Sequence, residues 1–288
     1  MTLDASDTAV ASTTSAASVV DDDPDAGAKF VFDLGVARSG ESKVAVVVNV
    51  EAFRAHPTGR QLGPSIAALP QWRELTQGAD LGIAWLLFTS PSLERTRRGT
   101  MLVYCAAGDA KIDRWLDAKR SPFDAGPGVH ATLGRADRAE RVFMRPQSHV
   151  VAVVPPDSAR EVATLLRSAH IPPHADPGEA FRFRAKNPQS VMRELPASVT
   201  EIRFWVAPRK DQGADFFFEG DTPGATFVAQ QLHDFLTKEN ESSVRNVTLG
   251  LFDHPNITAD GDIAKVHVRA TAAQLDALLL LVQSDLGP

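Results

Sequence analysis

The chain has 288 residues, of which 43% are hydrophobic and 23% are charged. This composition is typical of a soluble globular protein with one large domain or two smaller ones. The single cysteine, Cys105, excludes an internal disulfide and any multi-cysteine zinc or iron–sulfur site. The longest apolar runs, such as Ile83–Phe88 and Ala277–Val282, are too short to span a bilayer, so the sequence predicts no transmembrane segment.

The net charge of −6 is concentrated at the N-terminus. Residues 1–28 carry six acidic residues and no lysine or arginine, whereas the rest of the chain has 30 acidic and 30 basic residues. Residues 29–288 therefore have no net charge and lack the excess of positive charge typical of a nucleic-acid-binding protein, so we expect no nucleic acid partner. The acidic, Ser/Thr/Ala-rich tail is predicted to be disordered. It contains no secretory signal, which predicts a cytoplasmic protein, or a cell-envelope protein if the true start lies upstream.

From residue 29 onward, segments typical of strands alternate with segments typical of helices. Asp109 is predicted to be the N-cap of one helix, and Ser158 is predicted to open another with a capping box. Residues 49–78 indicate a helical connection broken by prolines. The strands predicted for this first unit are Lys29–Leu34, Val44–Val50, Ile83–Phe88, Thr100–Ala106, Val129–Leu133, Arg141–Met144 and His149–Val154.

A proline-rich stretch, residues 171–179, is predicted to be a linker, and the same order of elements returns after it. Asn187-Pro188 and Thr222-Pro223 indicate helix starts, and Thr271–Leu286 indicates a terminal helix. The strands predicted for this second unit are Ala180–Arg184, Thr200–Val206, Ala214–Glu219, Val244–Phe252 and Ala264–Val268.

The spacing of these elements indicates an internal repeat. The helix openings at Asp109 and Thr222 are 113 residues apart, and so are those at Ser158 and Thr271. We therefore predict an α+β fold formed by tandem duplication of a β-α-β-β-α-β-β-α unit, with residues 29–170 as the first unit and 180–288 as the second. Because hairpins dominate, the sheets should be largely antiparallel, with helices packed on one face.

Alternation along the strands of the second unit separates two sheet faces. One face is apolar and should lie under the helices. The other combines cations and aromatic rings with the acids Glu201, Asp215 and Glu219. It is either a binding face for an anionic or planar partner, or a solvated face whose opposite charges pair across strands. The candidate binding residues on this face are Arg182, Arg184, Arg203, Trp205, Phe217, Lys265, His267 and Arg269.

The terminal helix is unusually apolar over Leu278–Val282. Leucines around most of a helix indicate burial on more than one side. Three explanations remain open: the core of the junction between the units, a contact in a homo-oligomer, or the floor of a cavity for a hydrophobic ligand.

The sequence contains no recognisable catalytic constellation. Cys105 lies within a predicted strand without the turn that presents a nucleophile, so we expect a buried, inert thiol. Glycine-rich phosphate loops and dinucleotide-binding fingerprints are absent from the sequence. We therefore expect no cofactor and no metal, and no catalytic residue is predicted.

Part of the second unit resembles a group of known proteins. Asn187-Pro188, the run Leu195–Trp205 and Gly213-Ala214-Asp215 resemble uncharacterised bacterial proteins with two repeated α+β units, often assigned to the cell envelope. The resemblance covers about residues 29–288. It implies the duplicated fold and nothing catalytic.

Three functional hypotheses follow. The first is a non-enzymatic binding or scaffold protein that contacts a protein or an envelope component, with homo-oligomerisation also possible. The second is a carrier of a hydrophobic small molecule or lipid, suggested by Phe216, Phe218, Phe227 and the leucine-rich helix. The third is a hydrolase without a recognisable motif.

Overall fold

A computed structural model describes residues 43–61, 80–92, 98–118, 120–136, 138–175, 178–190, 195–240, 249–251 and 253–286. The predicted acidic tail and the predicted strand at residues 29–34 lie outside these ranges.

The described residues include twelve strands and five α-helices, and residues 57–61 are also helical. The strands are β1 Val44–Asn49, β2 Ile83–Ser90, β3 Thr100–Cys105, β4 Ser121–Pro122, β5 His130–Ala136, β6 Ala139–Gln147, β7 Val150–Val154, β8 Phe181–Lys186, β9 Glu201–Pro208, β10 Ala214–Asp221, β11 Asn256–Asp260 and β12 Ile263–Ala270. The helices are α1 Val50–Ala55, α2 Asp109–Asp117, α3 Ala159–Ser168, α4 Ala225–Asn240 and α5 Ala272–Leu286. Short 3₁₀ turns span Pro156–Ser158 and Pro188–Ser190.

All twelve strands belong to one sheet, in the order β11-β12-β10-β9-β8-β1-β2-β3-β7-β6-β5-β4. Each neighbouring pair is antiparallel. The predicted α+β class and the largely antiparallel pairing are therefore confirmed. Strand β1 pairs with β2 on one side and with β8 on the other, so a single sheet runs through both predicted units.

We refer to β1–β7 with α1–α3 as the first half and to β8–β12 with α4 and α5 as the second half. The predicted linker between them is irregular where it is described, and it packs against the first half. Ile171 is buried in the same cluster as Trp85 and Leu166, and the Trp85 indole donates a hydrogen bond to the Pro172 carbonyl over 3.0 Å.

Helices cover both faces of the first half, so the prediction of helices on one face is wrong there. Helix α2 packs Trp115 and Leu116 on one face, whereas α3 packs Val162 and Leu166 on the other. The physical reason lies in strands such as β7, in which every residue is buried. A strand that is apolar on both faces needs cover on both.

In the second half, the described helices lie on one face, as predicted. Helix α4 places Val228 and Ala229 against that face at one end, and α5 places Leu275 against Ala214 and Val268 at the other. The strands here alternate in polarity, so only one face has to be buried.

Several local predictions need correction. Gly108 is the N-cap of α2, because the Asp109 carboxylate instead accepts hydrogen bonds from the His149 amide and the Ser148 hydroxyl. Ser158 makes no capping bond, since its hydroxyl donates to the Pro155 carbonyl. The strand predicted at residues 244–252 lies largely outside the described residues. Strand β11, which was not predicted, follows this stretch at Asn256–Asp260.

Within the described residues, no helix is both long enough and apolar enough to cross a membrane.

Cys105 provides a test of the packing. Its side chain is fully buried in the cluster under α2, and this burial raises the pKa of the thiol to about 12. We expect the native protein at pH 8 to be unreactive toward a thiol reagent, because the thiolate is the reactive form. The protein unfolded in guanidinium should react fully. Similar labelling rates in the two states would contradict the burial of Cys105.

Candidate binding face

The eight candidate binding residues lie on one face of the second half, which we call the open face. Strand register places them together: Arg182 is opposite Trp205, Trp205 is opposite Phe217, and Phe217 is opposite His267. Directly opposite residues in antiparallel strands project from the same face. Arg184, Arg203, Lys265 and Arg269 occupy the neighbouring rows of that face. None of the described helices packs against it, since α4 and α5 contact the opposite face.

A stack of flat groups crosses four strands at the centre of the open face. The Arg182 guanidinium lies 5.4 Å from the Trp205 ring centre. The Trp205 and Phe217 rings are 5.0 Å apart with an angle of 11° between their planes, and Phe217 and His267 are 4.6 Å apart at 3°. Each aromatic contact of this kind contributes about 0.5–1.5 kcal/mol beyond burial. Together, Arg182, Trp205, Phe217 and His267 form a partly exposed planar strip whose members hold one another in place.

Acidic residues pair with each of the basic candidate residues of the open face. Arg203 is the hub: it contacts Glu219 over 3.1 Å, Asp221 over 2.5 Å and Glu201 over 3.4 Å. Burial works to lower the pKa of Arg203, but the negative charges of these carboxylates outweigh it and leave the pKa raised. The guanidinium therefore stays charged and fixed across β9 and β10.

The remaining basic side chains have their own partners. Arg184 binds Glu201 through two hydrogen bonds of 2.5 and 2.9 Å, and Arg182 forms a two-bond pair with Glu179. The other pairs are Lys265 with Asp260 and both His267 and Arg269 with Asp215. The sequence-based alternative, in which opposite charges pair across strands, therefore describes the charges of this face correctly. The sequence analysis did not identify three of the acidic partners, Glu179, Asp221 and Asp260, although Asp221 lies opposite Glu201 in the register.

Because its charges are compensated, the open face has no surplus positive charge to attract a strongly anionic partner. Its distinctive property is the planar strip, which ion pairs surround. Trp, Tyr and Arg in such settings are the residues that contribute most to protein–protein binding.

The first half has a different polar cluster, which joins α2 to the sheet. Arg145 binds Asp113 through hydrogen bonds of 2.7 and 2.9 Å and contacts Asp109 over 3.2 Å. The His130 ring lies between Asp117 and Asp113 at 2.8 and 3.5 Å. In the described part of the chain, no group of three or more His, Cys, Asp or Glu side chains is arranged to hold a metal ion.

Comparisons with known proteins identify no family for this chain. No protein family matches the sequence, and no curated protein does. Among solved structures, the chain is similar to TP0453 in its crystal form I, with a TM-score of 0.48 and 12% identity. That similarity covers 88% of this chain and 97% of TP0453. A similarity this distant says nothing about function.

The hub role of Arg203 predicts a measurable loss of stability. Arg203→Gln leaves Glu201 and Glu219, whose side chains are only 10% and 22% exposed, without their shared cation. We expect the free energy of unfolding in urea to fall by about 1.5–3 kcal/mol, the range for hydrogen bonds to charged groups.

Arg269→Gln is the matched control for this substitution. The Arg269 side chain is 65% exposed, so its loss should cost about 0–1 kcal/mol. Equal losses from the two variants would show that the Arg203 network does not stabilise the sheet.

Proposed function

We propose that this chain is a non-enzymatic binding protein and that its open face holds a protein or a component of the cell envelope. The observation that carries the proposal is the stack of Arg182, Trp205, Phe217 and His267 on a sheet face that no described helix covers. Partly exposed, firmly held aromatic rings lose little conformational freedom when they bind, which favours their use in recognition.

The partner surface should carry mixed charge and offer flat or aliphatic groups to the strip. A strongly anionic partner would have to displace Glu201, Glu219 and Asp221 from Arg203, and Glu179 from Arg182. A partner with both signs of charge can instead extend the existing pairs.

The area of the open face favours a small interface. The four strands that carry the strip, β8 with six residues and β9, β10 and β12 with eight each, span roughly 500 Å² at the usual strand spacing and rise. A standard protein–protein interface buries about 800 Å² on each partner. The open face alone therefore suits a transient partner, and a stable complex would also use neighbouring loops or the β11 edge.

We also propose that the two halves descend from one duplicated unit. The strand order supports this: β1-β2-β3-β7-β6 on one side of the β1–β8 pair corresponds to β8-β9-β10-β12-β11 on the other. Helices α2 and α4 occupy equivalent positions on the same face, whereas α3 and α5 lie on opposite faces. In this view the second half has lost the cover that α3 gives the first, and its uncovered face has become the binding surface.

Two substitutions test the binding face. A partner recovered with the wild-type chain from its own cells would be purified, and its affinity measured by calorimetry. Trp205→Ala and Phe217→Ala should each weaken binding about tenfold or more, as expected for central aromatic residues.

Phe216→Ala is the matched control, because Phe216 neighbours Phe217 in β10 but lies on the helix-covered face. It should leave the affinity unchanged while costing similar stability. Unchanged affinity for Trp205→Ala and Phe217→Ala would remove the open face from the proposal.

One observation favours a carrier of hydrophobic molecules as the second candidate. On the helix-covered face, the ring centre of Phe204 lies 6.0 Å from that of Phe181 and 6.1 Å from that of Phe216. All three side chains remain partly exposed. Phe227 of α4 and Leu280 of α5 are 69% and 68% exposed. The three rings give the helix-covered face a partly exposed apolar patch, and the two helices add exposed apolar side chains, which a lipid-like ligand would cover.

The carrier function has its own test. Native mass spectrometry of protein purified gently from its source should then show an added mass that organic solvent removes. Phe216→Ala should lower the affinity for a fluorescent fatty acid, and Phe217→Ala should not. A bare chain together with no binding of the fluorescent fatty acid at micromolar concentration would exclude a carrier.

A further inference from the structure

A cleft of about 310 Å³ lies at one end of the sheet, away from the central strip of the open face. One wall is the end of α1 with the residues that follow it, including His56 and Arg60. The other wall is the turn from β9 to β10, with Arg209, Lys210 and Gln212. This volume is at the lower end of the range for small-molecule sites.

The cleft differs from the open face in its charge. Arg60 and Lys210 are exposed, and among the described residues neither forms an ion pair. Arg209 has one acidic partner, Asp211, which contacts its Nη2 atom. Three cations therefore meet at the cleft against one carboxylate, whereas acids compensate the cations of the open face.

Two buried nitrogen atoms on opposite walls have no hydrogen-bond partner. They are Nε2 of His56 and Nη1 of Arg209. Buried polar atoms in native proteins almost always have a partner, and an ion or a water often supplies it when the protein does not. Both residues also line the cleft, so an oxyanion bound there is a candidate acceptor for these two nitrogens.

Backbone hydrogen bonds hold both walls in place. The His56 amide donates to the Phe53 carbonyl at the end of α1, and the Arg60 amide donates to the His56 carbonyl. In the turn, the Arg209 amide donates to the Gly213 carbonyl over 2.9 Å. The backbone from which these basic side chains extend is therefore held in place on both walls.

We propose that this cleft binds a small phosphorylated molecule. A guanidinium fork and an ammonium group are the side chains that recognise phosphate oxygens, and three cations suit a group with more than one negative charge. The residues that line the cleft include none of the eight candidate residues of the open face.

Calorimetry of the full chain with pyrophosphate at constant ionic strength tests the proposal. The wild type should bind with a millimolar or lower Kd, about the affinity expected of a phosphate group without the rest of its ligand. Lys210→Glu should weaken binding about tenfold or more, because it reverses a charge at the cleft. An unchanged melting temperature would show that the variant is folded, as expected for an exposed residue.

Arg114→Glu is the matched control, since Arg114 is an exposed arginine of α2 that does not line the cleft. It should bind pyrophosphate as the wild type does. The proposal is overturned if the wild type shows no binding at about 10 mM pyrophosphate, or if Lys210→Glu and Arg114→Glu have equal effects.

Discussion

The position of β1 determines the rest of the structure. This strand of six residues forms antiparallel ladders with β2 and with β8, and so joins the two halves into one sheet. Val46 contributes to the buried clusters of both halves. Because a strand carries its register to both neighbours, the β1 pairings fix which residues of the second half share a face with which residues of the first.

One continuous face of the sheet is therefore buried under α3 in the first half and partly exposed in the second half. In the first half it presents Trp85, Leu87 and Leu102, which are at most 2% exposed beneath α3. In the second half the same face presents Arg203, Trp205 and their neighbours, which remain partly exposed. An apolar row needs a helix for cover, whereas a row of paired charges and stacked rings is stable against water. That difference in side chains explains why the uncovered face lies in the second half.

The sequence predicts the open face well and the architecture less well. Period-two alternation is a local property, so it assigned Arg182, Trp205 and His267 to one face correctly. The side of the sheet on which α3 packs depends on tertiary contacts that no local pattern reports. The single sheet depends on the β1–β8 pairing, between segments far apart in the chain. The cleft was missed for the same reason, because His56 and Arg209 meet only in the fold.

The proposed function requires that a partner covers the open face. Hydroxyl-radical footprinting of the isolated chain, and of the chain in an extract of its own cells, measures this directly. We expect Trp205 and Phe217 to be oxidised in the isolated chain and protected in the extract, while exposed Phe227 is oxidised equally in both. Equal oxidation of Trp205 and Phe217 in the two samples, relative to Phe227, would contradict the proposed function.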